Sequence, residues 1–205
     1  MTFLSGSDKK EIAQAIKQAE AKTRGEFITV IAHAADDYLY IPVLWAALIA
    51  LLVPGAIQLG DCAWAITYSY EIQLASFAFC VLLFRWPPLK RYLIPKAVKY
   101  KRAHRLAQDQ FFQQNLHHTK ERTGILLFVS VAEHYVEIIA DKGINDVVAA
   151  GAWDEVVADF VSQVKAGQVK TGFLNAVQAC STILEQHFPA TGDVHNELPD
   201  HLIEI

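Results

Sequence analysis

The stretch LYIPVLWAALIALLVPGAIQLG, residues 39–60, contains no charged side chain, although it stands between segments that read as parts of a water-soluble α/β domain. Before it, EFITVIAHA (26–34) supplies a β-branched run centred on residues 27–31, the composition of a buried strand. After it, TGILLFVSVAEHYVEIIADKGI (123–144) supplies two more strands, ILLFVSV and the alternating HYVEIIAD, joined by a tight turn at Ala132 and Glu133. A transmembrane helix needs about 20 apolar residues to cross a hydrocarbon core of about 30 Å. About ten Leu, Ile and Val residues, at roughly −0.3 to −0.6 kcal/mol each, favour insertion by several kcal/mol. Pro42 and Pro54 fall near the ends of the stretch and Trp45 near one edge, as in an aromatic belt. A buried core helix is the competing reading. It is the weaker, because a globular helix has a polar face and this one has none.

A second apolar segment, residues 63–84, carries one charge, Glu71, and stops at RWPPLKRYLIPK. At 1.5 Å per residue it would reach about 33 Å. An ionisable group inside a span marks a functional position. In the preferred alternative the helix tilts or starts later, and Glu71 reaches the outer headgroups beside Tyr68 and Tyr70. Two spans form a hairpin with both flanks on one side. Cations crowd the exit, at Arg85, Lys90, Arg91, Lys96, Lys99, Lys101 and Arg102, whereas the intervening turn offers Asp61. Positive charge marks the cytoplasmic side, so both termini are expected in the cytosol. Arg85, Lys90, Arg91 and Lys96 suit anionic headgroups, at about 1 kcal/mol per residue near the surface.

Bulk properties agree. The 205 residues are 53% hydrophobic and 20% charged, with mean hydropathy +0.21, more apolar than an ordinary soluble domain. The net charge of −4 gives no basic field for nucleic acid. Cys62, Cys80 and Cys180 are scattered and odd in number, against a disulfide framework or a zinc knuckle. The first residues become charged at once and lack the apolar run of a signal peptide.

Around the apolar insert the chain alternates helix and strand. Residues 5–25 read as an amphipathic helix with Ser7 as N-cap, Asp8 and Glu11 in its first turn, Ile12, Ala15, Ile16 and Ala19 on its buried face, and Gly25 as terminator. Residues 97–124 read as a helix closed by Gly124. Residues 143–151, 153–167 and 171–188 read as helical. The tail, 189–205, is acidic and contains prolines, and reads as extended. It ends in Leu202–Ile205, which either returns to the domain as an edge strand or cover, or is offered to a partner; docking is preferred, since Leu198, Leu202 and Ile203 would otherwise be exposed. The expected divisions are 1–37 and 92–188 for a split α/β domain, 38–91 for a transmembrane hairpin and 189–205 for the tail. A crossover between the first and second strands makes them parallel and the third antiparallel, hence a mixed sheet.

The segments TRGEFITVIAHA, TGILLFVSVAEHYVEIIADKGI and TGFLNAVQACSTILEQHFP, with the motifs RTG, ADKGI and NELPD, resemble the TPM domain family, also called the TPM phosphatase family. The insert and the closing HFPATGDVHNELPD resemble its bacterial integral-membrane branch, whose members are often found beside LemA-family proteins. The resemblance implies a three-layer α/β/α sandwich, here interrupted by the hairpin, in the bacterial cytoplasmic (inner) membrane as a multi-pass protein. It also implies a LemA-family partner and, as in some members, binding of calcium or another divalent metal and a weak acid phosphatase activity.

The carboxylates fall into two sets. Glu26, Asp141 and Asp146 stand at the sheet end away from the insert, with Gly143 permitting a close backbone approach. Asp36, Asp37 and Glu133 stand at the other end, where Asp36 and Asp37 adjoin the apolar stretch. Neither set has calcium-loop spacing, and turn and cap chemistry accounts for all six; the first set is the better metal candidate. No GxSxG, P-loop, HExxH or phosphatase Cys-loop is present. His117 and His118 read as exposed groups on different helix faces, unable to chelate together, with His104 too far along to join them. The expected function is therefore a membrane-anchored, non-enzymatic interaction or scaffolding module. The alternative is a metal-dependent, calcium-binding phosphatase or hydrolase.

Overall fold

Ser5 caps the first helix, and its choice over Ser7 shows how local chemistry sets a boundary. The computed structural model describes residues 4–59, 67–149, 151–190 and 202–205. Helix α1 runs Gly6–Glu20. The Asp8 N–H donates to Ser5 Oγ at 3.2 Å and the Ser5 N–H donates to Asp8 Oδ2 at 3.0 Å. This reciprocal pair needs an acceptor three residues after the cap. Ser5 has Asp8 there; Ser7 would have Lys10. Gly25 does not terminate α1, whose C-cap is Ala21; it leads into β1, Glu26–Ala32.

The chain forms two units, Met1–Ala35 with Lys101–Ile205, and Asp36–Tyr100. In the first, a four-stranded sheet has the order β3-β2-β1-β4. β2 (Gly124–Ser130) is parallel to β1 and β3 (Tyr135–Ala140) is antiparallel to β2, as the crossover required. Every residue of β1 and β2 is buried, which is what an uninterrupted apolar strand demands. Successive side chains alternate faces. Phe27, Ile31, Ile125, Leu127 and Val129 pack on one side with α1 and with helices later in the chain. Ile28, Val30, Leu126 and Phe128 pack on the other with Ala103, Ala107, Phe111 and Leu116. Helices thus cover both faces.

Continuing along the chain, α2 spans Tyr40–Gln58, α3 Ser69–Phe84, α4 Pro87–Leu93 and α5 Lys96–Gln113. A 3-10 turn covers Leu116–His118. After β3 come the short α6 (Lys142–Asn145), then α7 (Ala152–Lys165) and α8 (Val169–His187). Gly124 does not close α5. Asn115, at φ 58°, does so, because Asn tolerates the left-handed region. Gly124 opens β2 instead, and a Cβ there would lie 2.4 Å from the Leu116 carbonyl oxygen.

In the second unit α2 and α3 pack side by side and antiparallel. Ala46 meets Cys80 and Phe84, with Ile49 and Phe77 packed against them. Pro87 and Pro88 occupy the first turn of α4, where a missing N–H is harmless. Tyr38, Ile41 and Ile94 pack together, bringing the start of α2 and the chain after α4 to one end. The expected pair of membrane-length helices is met by one. Among the described residues α2 alone, through Tyr40–Ile57, is long and apolar enough to cross a membrane. α3 is described for 16 residues, about 24 Å. Asp61, Cys62 and the start of the second apolar segment lie outside the described residues, as does NELPD.

Of the expected extended tail, Leu202–Glu204 forms β4, an edge strand parallel to β1. This is the docked form.

Candidate functional site

The outer surface of the α2–α3 pair is the most unusual feature of the molecule. Only 17% of the Tyr40–Ile57 window is buried, whereas a core helix would be mostly buried. Leu44, Leu48, Leu51, Leu52, Leu74, Phe79 and Leu82 are all exposed. Small residues occupy the seam: Ala46 and Ala50 are buried one turn apart, the spacing that lets two helices approach closely. Ser76 donates to the Gln73 carbonyl at 2.9 Å, so its hydroxyl is satisfied within the helix. An exposed apolar belt of this extent marks a surface for lipid or protein. Glu71 sits in the first turn of α3, at its extreme end. At the other end of α3, Arg85 and Trp86 are exposed and Lys90 is half-buried, with Arg91 in α4 and an exposed Lys96 opening α5. Aromatic and cationic residues are therefore grouped at one end of the apolar pair.

Among the carboxylates of the first unit, Asp141 and Glu133 are engaged in structural roles. Glu26 and Asp141 share one rung of the sheet. Glu26 pairs with Gly124, and the Asp141 N–H donates to the Gly124 carbonyl at 2.9 Å. The two carboxylate-bearing residues are thus two strand spacings apart, about 9.5 Å, and the Leu116 backbone sits over Gly124 between them. Asp141 caps α6, its Oδ1 accepting the Lys142 N–H at 2.7 Å, and its Oδ2 lies 3.0 Å from Arg122 Nε. Gly143 is forced by the same corner: a Cβ would stand 2.4 Å from the Glu121 carbonyl oxygen and 2.6 Å from that of Arg122. Asp146, the C-cap of α6, is exposed. RTG and ADKGI therefore meet, and what they build is a turn-on-turn joint.

Glu133 is buried and accepts from the Ser130 hydroxyl and from the Ala35 N–H, the latter at 3.1 Å. It fixes the β2–β3 turn against the end of β1. Asp36, in the second unit, accepts the Tyr38 N–H at 3.0 Å, and Asp37 is exposed. Among the described residues no three His, Cys, Asp or Glu side chains converge where a metal ion could sit.

Three polar arrangements were hidden in the sequence. Buried Glu20 accepts the Phe27 N–H at 2.9 Å. His104 Nδ1 lies 2.9 Å from both oxygens of Glu137, and the Tyr135 hydroxyl donates to Glu137 Oε2 at 2.9 Å. The Glu137 carboxylate thus ties α5 to β3. The His117 and His118 rings lie 4.0 Å apart with their planes tilted by 51°, and Phe112 is 5.2 Å from His117. The 3-10 turn replaces the helix on which they would have diverged. Cys180 is a buried thiol whose pKa is pushed to about 12 by desolvation, so it is inert rather than nucleophilic.

Residues 92–183 match the family model of the TPM domain, a stretch running from the end of α4 through most of α8. The fold as a whole is similar to the NMR structure of the BA42 protein from the psychrophilic bacterium Bizionia argentinensis. The two are 22% identical, with a TM-score of 0.63 over 98% of this chain and 95% of that one. At that identity the likeness speaks for the fold alone. No curated protein matches the chain.

Proposed function

We propose that this chain is a TPM-like α/β domain anchored in a membrane through its α2–α3 pair, acting as a non-enzymatic interaction module at the cytoplasmic face. The observation that carries the reading is the exposure of α2: 17% of its 18-residue apolar window is buried, whereas the helix of a water-soluble core is mostly buried. The grouping of Arg85, Trp86, Lys90 and Lys96 at one end supports headgroup contact there. The end that carries Glu71 would then face outward.

Two measurements test this. The chain should stay with the membrane fraction through alkaline extraction, and Leu51→Glu with Leu52→Glu should release it. Reporters joined at either terminus should read as cytoplasmic and one inserted at Asp61 as external. A chain recovered in the soluble fraction, or an external C-terminus, would overturn the reading. The metal-dependent phosphatase alternative draws on Glu26, Asp141 and Asp146 as ligands for calcium or a similar ion. It requires Asp141 to leave Arg122 and the α6 cap, and it is tested by the shift in melting temperature on adding calcium, magnesium or manganese.

A further inference from the structure

Beside β1 lies a complete strand-binding slot, and the tail shows how it is filled. β4 contributes three paired residues, Leu202 opposite Thr29, Ile203 opposite Val30 and Glu204 opposite Ile31. The backbone rail continues past it, with the Ile205 N–H donating to the Ile31 carbonyl at 2.9 Å and the His33 N–H donating to the Ile205 carbonyl at 2.8 Å. The side chains of the strand alternate between the two faces of the sheet. Leu202 enters the core on the α1 side of the sheet. Ile203 enters the core on the α5 side. Glu204 meets Lys9 of α1 at 2.8 Å. Backbone bonds supply affinity in strand addition, and alternate side-chain pockets supply selectivity.

We propose that the β1 edge is a peptide-recognition site for an extended segment of a partner protein, read in parallel register as apolar, apolar, acidic, and that the tail of this chain is its resident competitor. All the elements of recognition are present on the first unit: the edge of β1 along which β4 lies, one apolar pocket on each face and a cation at the third position. A three-residue strand is short enough to be displaced. Held in cis, the tail acts at an effective concentration on the order of millimolar. A tail whose own affinity for the slot is about 0.1 mM therefore weakens a partner peptide about tenfold on the intact chain, relative to one whose tail is released. The site uses none of the apolar pair, so it stands or falls separately from membrane anchoring.

The test uses the full chain with Leu202→Asp and Ile203→Asp and a fluorescent synthetic peptide of residues 198–205, LPDHLIEI. Saturable binding to this variant, about tenfold weaker binding to the unaltered chain, and loss of binding on adding Lys9→Glu support the slot. No saturable binding to a folded variant overturns it. A second measurement needs no variant: a large excess of the peptide over the unaltered chain should expose the Ile205 amide to exchange while the His33 amide stays protected. Unchanged protection of Ile205 overturns the proposal. So does a tail-exchanged dimer that excludes the peptide, which would assign the slot to a second copy of the chain.

Discussion

Arg122 Nε stands 3.0 Å from Oδ2 of Asp141, and this pair joins the two motifs flanking the β2–β3 ribbon. Its members differ in exposure: the Asp141 side chain is 7% exposed and that of Arg122 56%. Removing the buried member loses an N-cap worth about 1 kcal/mol as well as the ion pair, whereas removing the exposed member loses a solvent-screened contact. Asp141→Ala is therefore expected to destabilise the protein by about 2 kcal/mol, and Arg122→Ala by less than half of that. Denaturant midpoints measure both. Equal losses would show that the cap carries none of the difference.

Burial pushes the Cys180 thiol up to about 12, against about 8.5 in an unfolded chain. A raised folded value means that the contribution to stability is complete below the unfolded value and is lost as pH rises through the folded one. Stability should thus decline from about pH 8.5 upward as the unfolded chain gains thiolate. Alkylation by iodoacetamide at pH 8, read peptide by peptide in a mass spectrometer, should spare Cys180 until denaturant is added. Labelling of Cys180 in the folded protein would show that the α8 face opens locally.

At the start of α1 the Asp8 carboxyl is held below its ordinary value of 3.8, first by the Ser5 hydroxyl and N–H and then by Lys170. Lys170 is itself raised, chiefly through Glu11. The sign for a depressed carboxyl is the reverse of that for Cys180. Its contribution is present above the unfolded value and fades as pH falls through the folded one. Ser5→Ala should cost about 1 kcal/mol near neutrality and less at pH 3, where Asp8 takes up a proton in the unfolded chain. Denaturation curves at the two pH values give the difference. A cost unchanged with pH would separate Ser5 from Asp8.

What the sequence made legible was local. The β-branched run at residues 27–31 and the run ILLFVSV became the two fully buried central strands, and the crossover rule alone gave their parallel pairing. The α1 cap falls at Ser5 rather than Ser7 because only Ser5 has a reciprocal acceptor, Asp8, three residues on. Gly124 opens β2 rather than ending a helix, and its close contact with the Leu116 carbonyl is invisible in the sequence because it depends on tertiary packing. The bond between His104 and Glu137 spans 33 residues and joins a helix to a strand, so no spacing rule could show it. The carboxylates at the sheet ends were visible as a set. That Asp141 serves α6 and Glu133 serves the Ala35 N–H appeared only when their donors were in place.

The last expectation concerns the apolar pair as an insert. The first unit has its own cores on both faces of the sheet, formed entirely by residues outside 36–100. The second has its own seam, through Ala46, Cys80 and Phe84. Where two units hold separate cores, removing one leaves the burial in the other intact. Replacing residues 38–95 by a Gly-Ser linker should therefore give a water-soluble protein that unfolds in one cooperative step. It should keep the buried environment of Phe128 and Phe160, both at most 1% exposed in the full chain. Linker entropy rises only slowly with length, by about 0.6 kcal/mol per doubling, so linkers of about 10 and 20 residues should give melting temperatures within a few degrees of each other. Circular dichroism, the width of the thermal transition and amide protection of β1 and β2 report the result. Aggregation, or a broad non-cooperative transition with both linkers, would mean that the α/β unit needs the apolar pair to fold and that the insert reading is wrong.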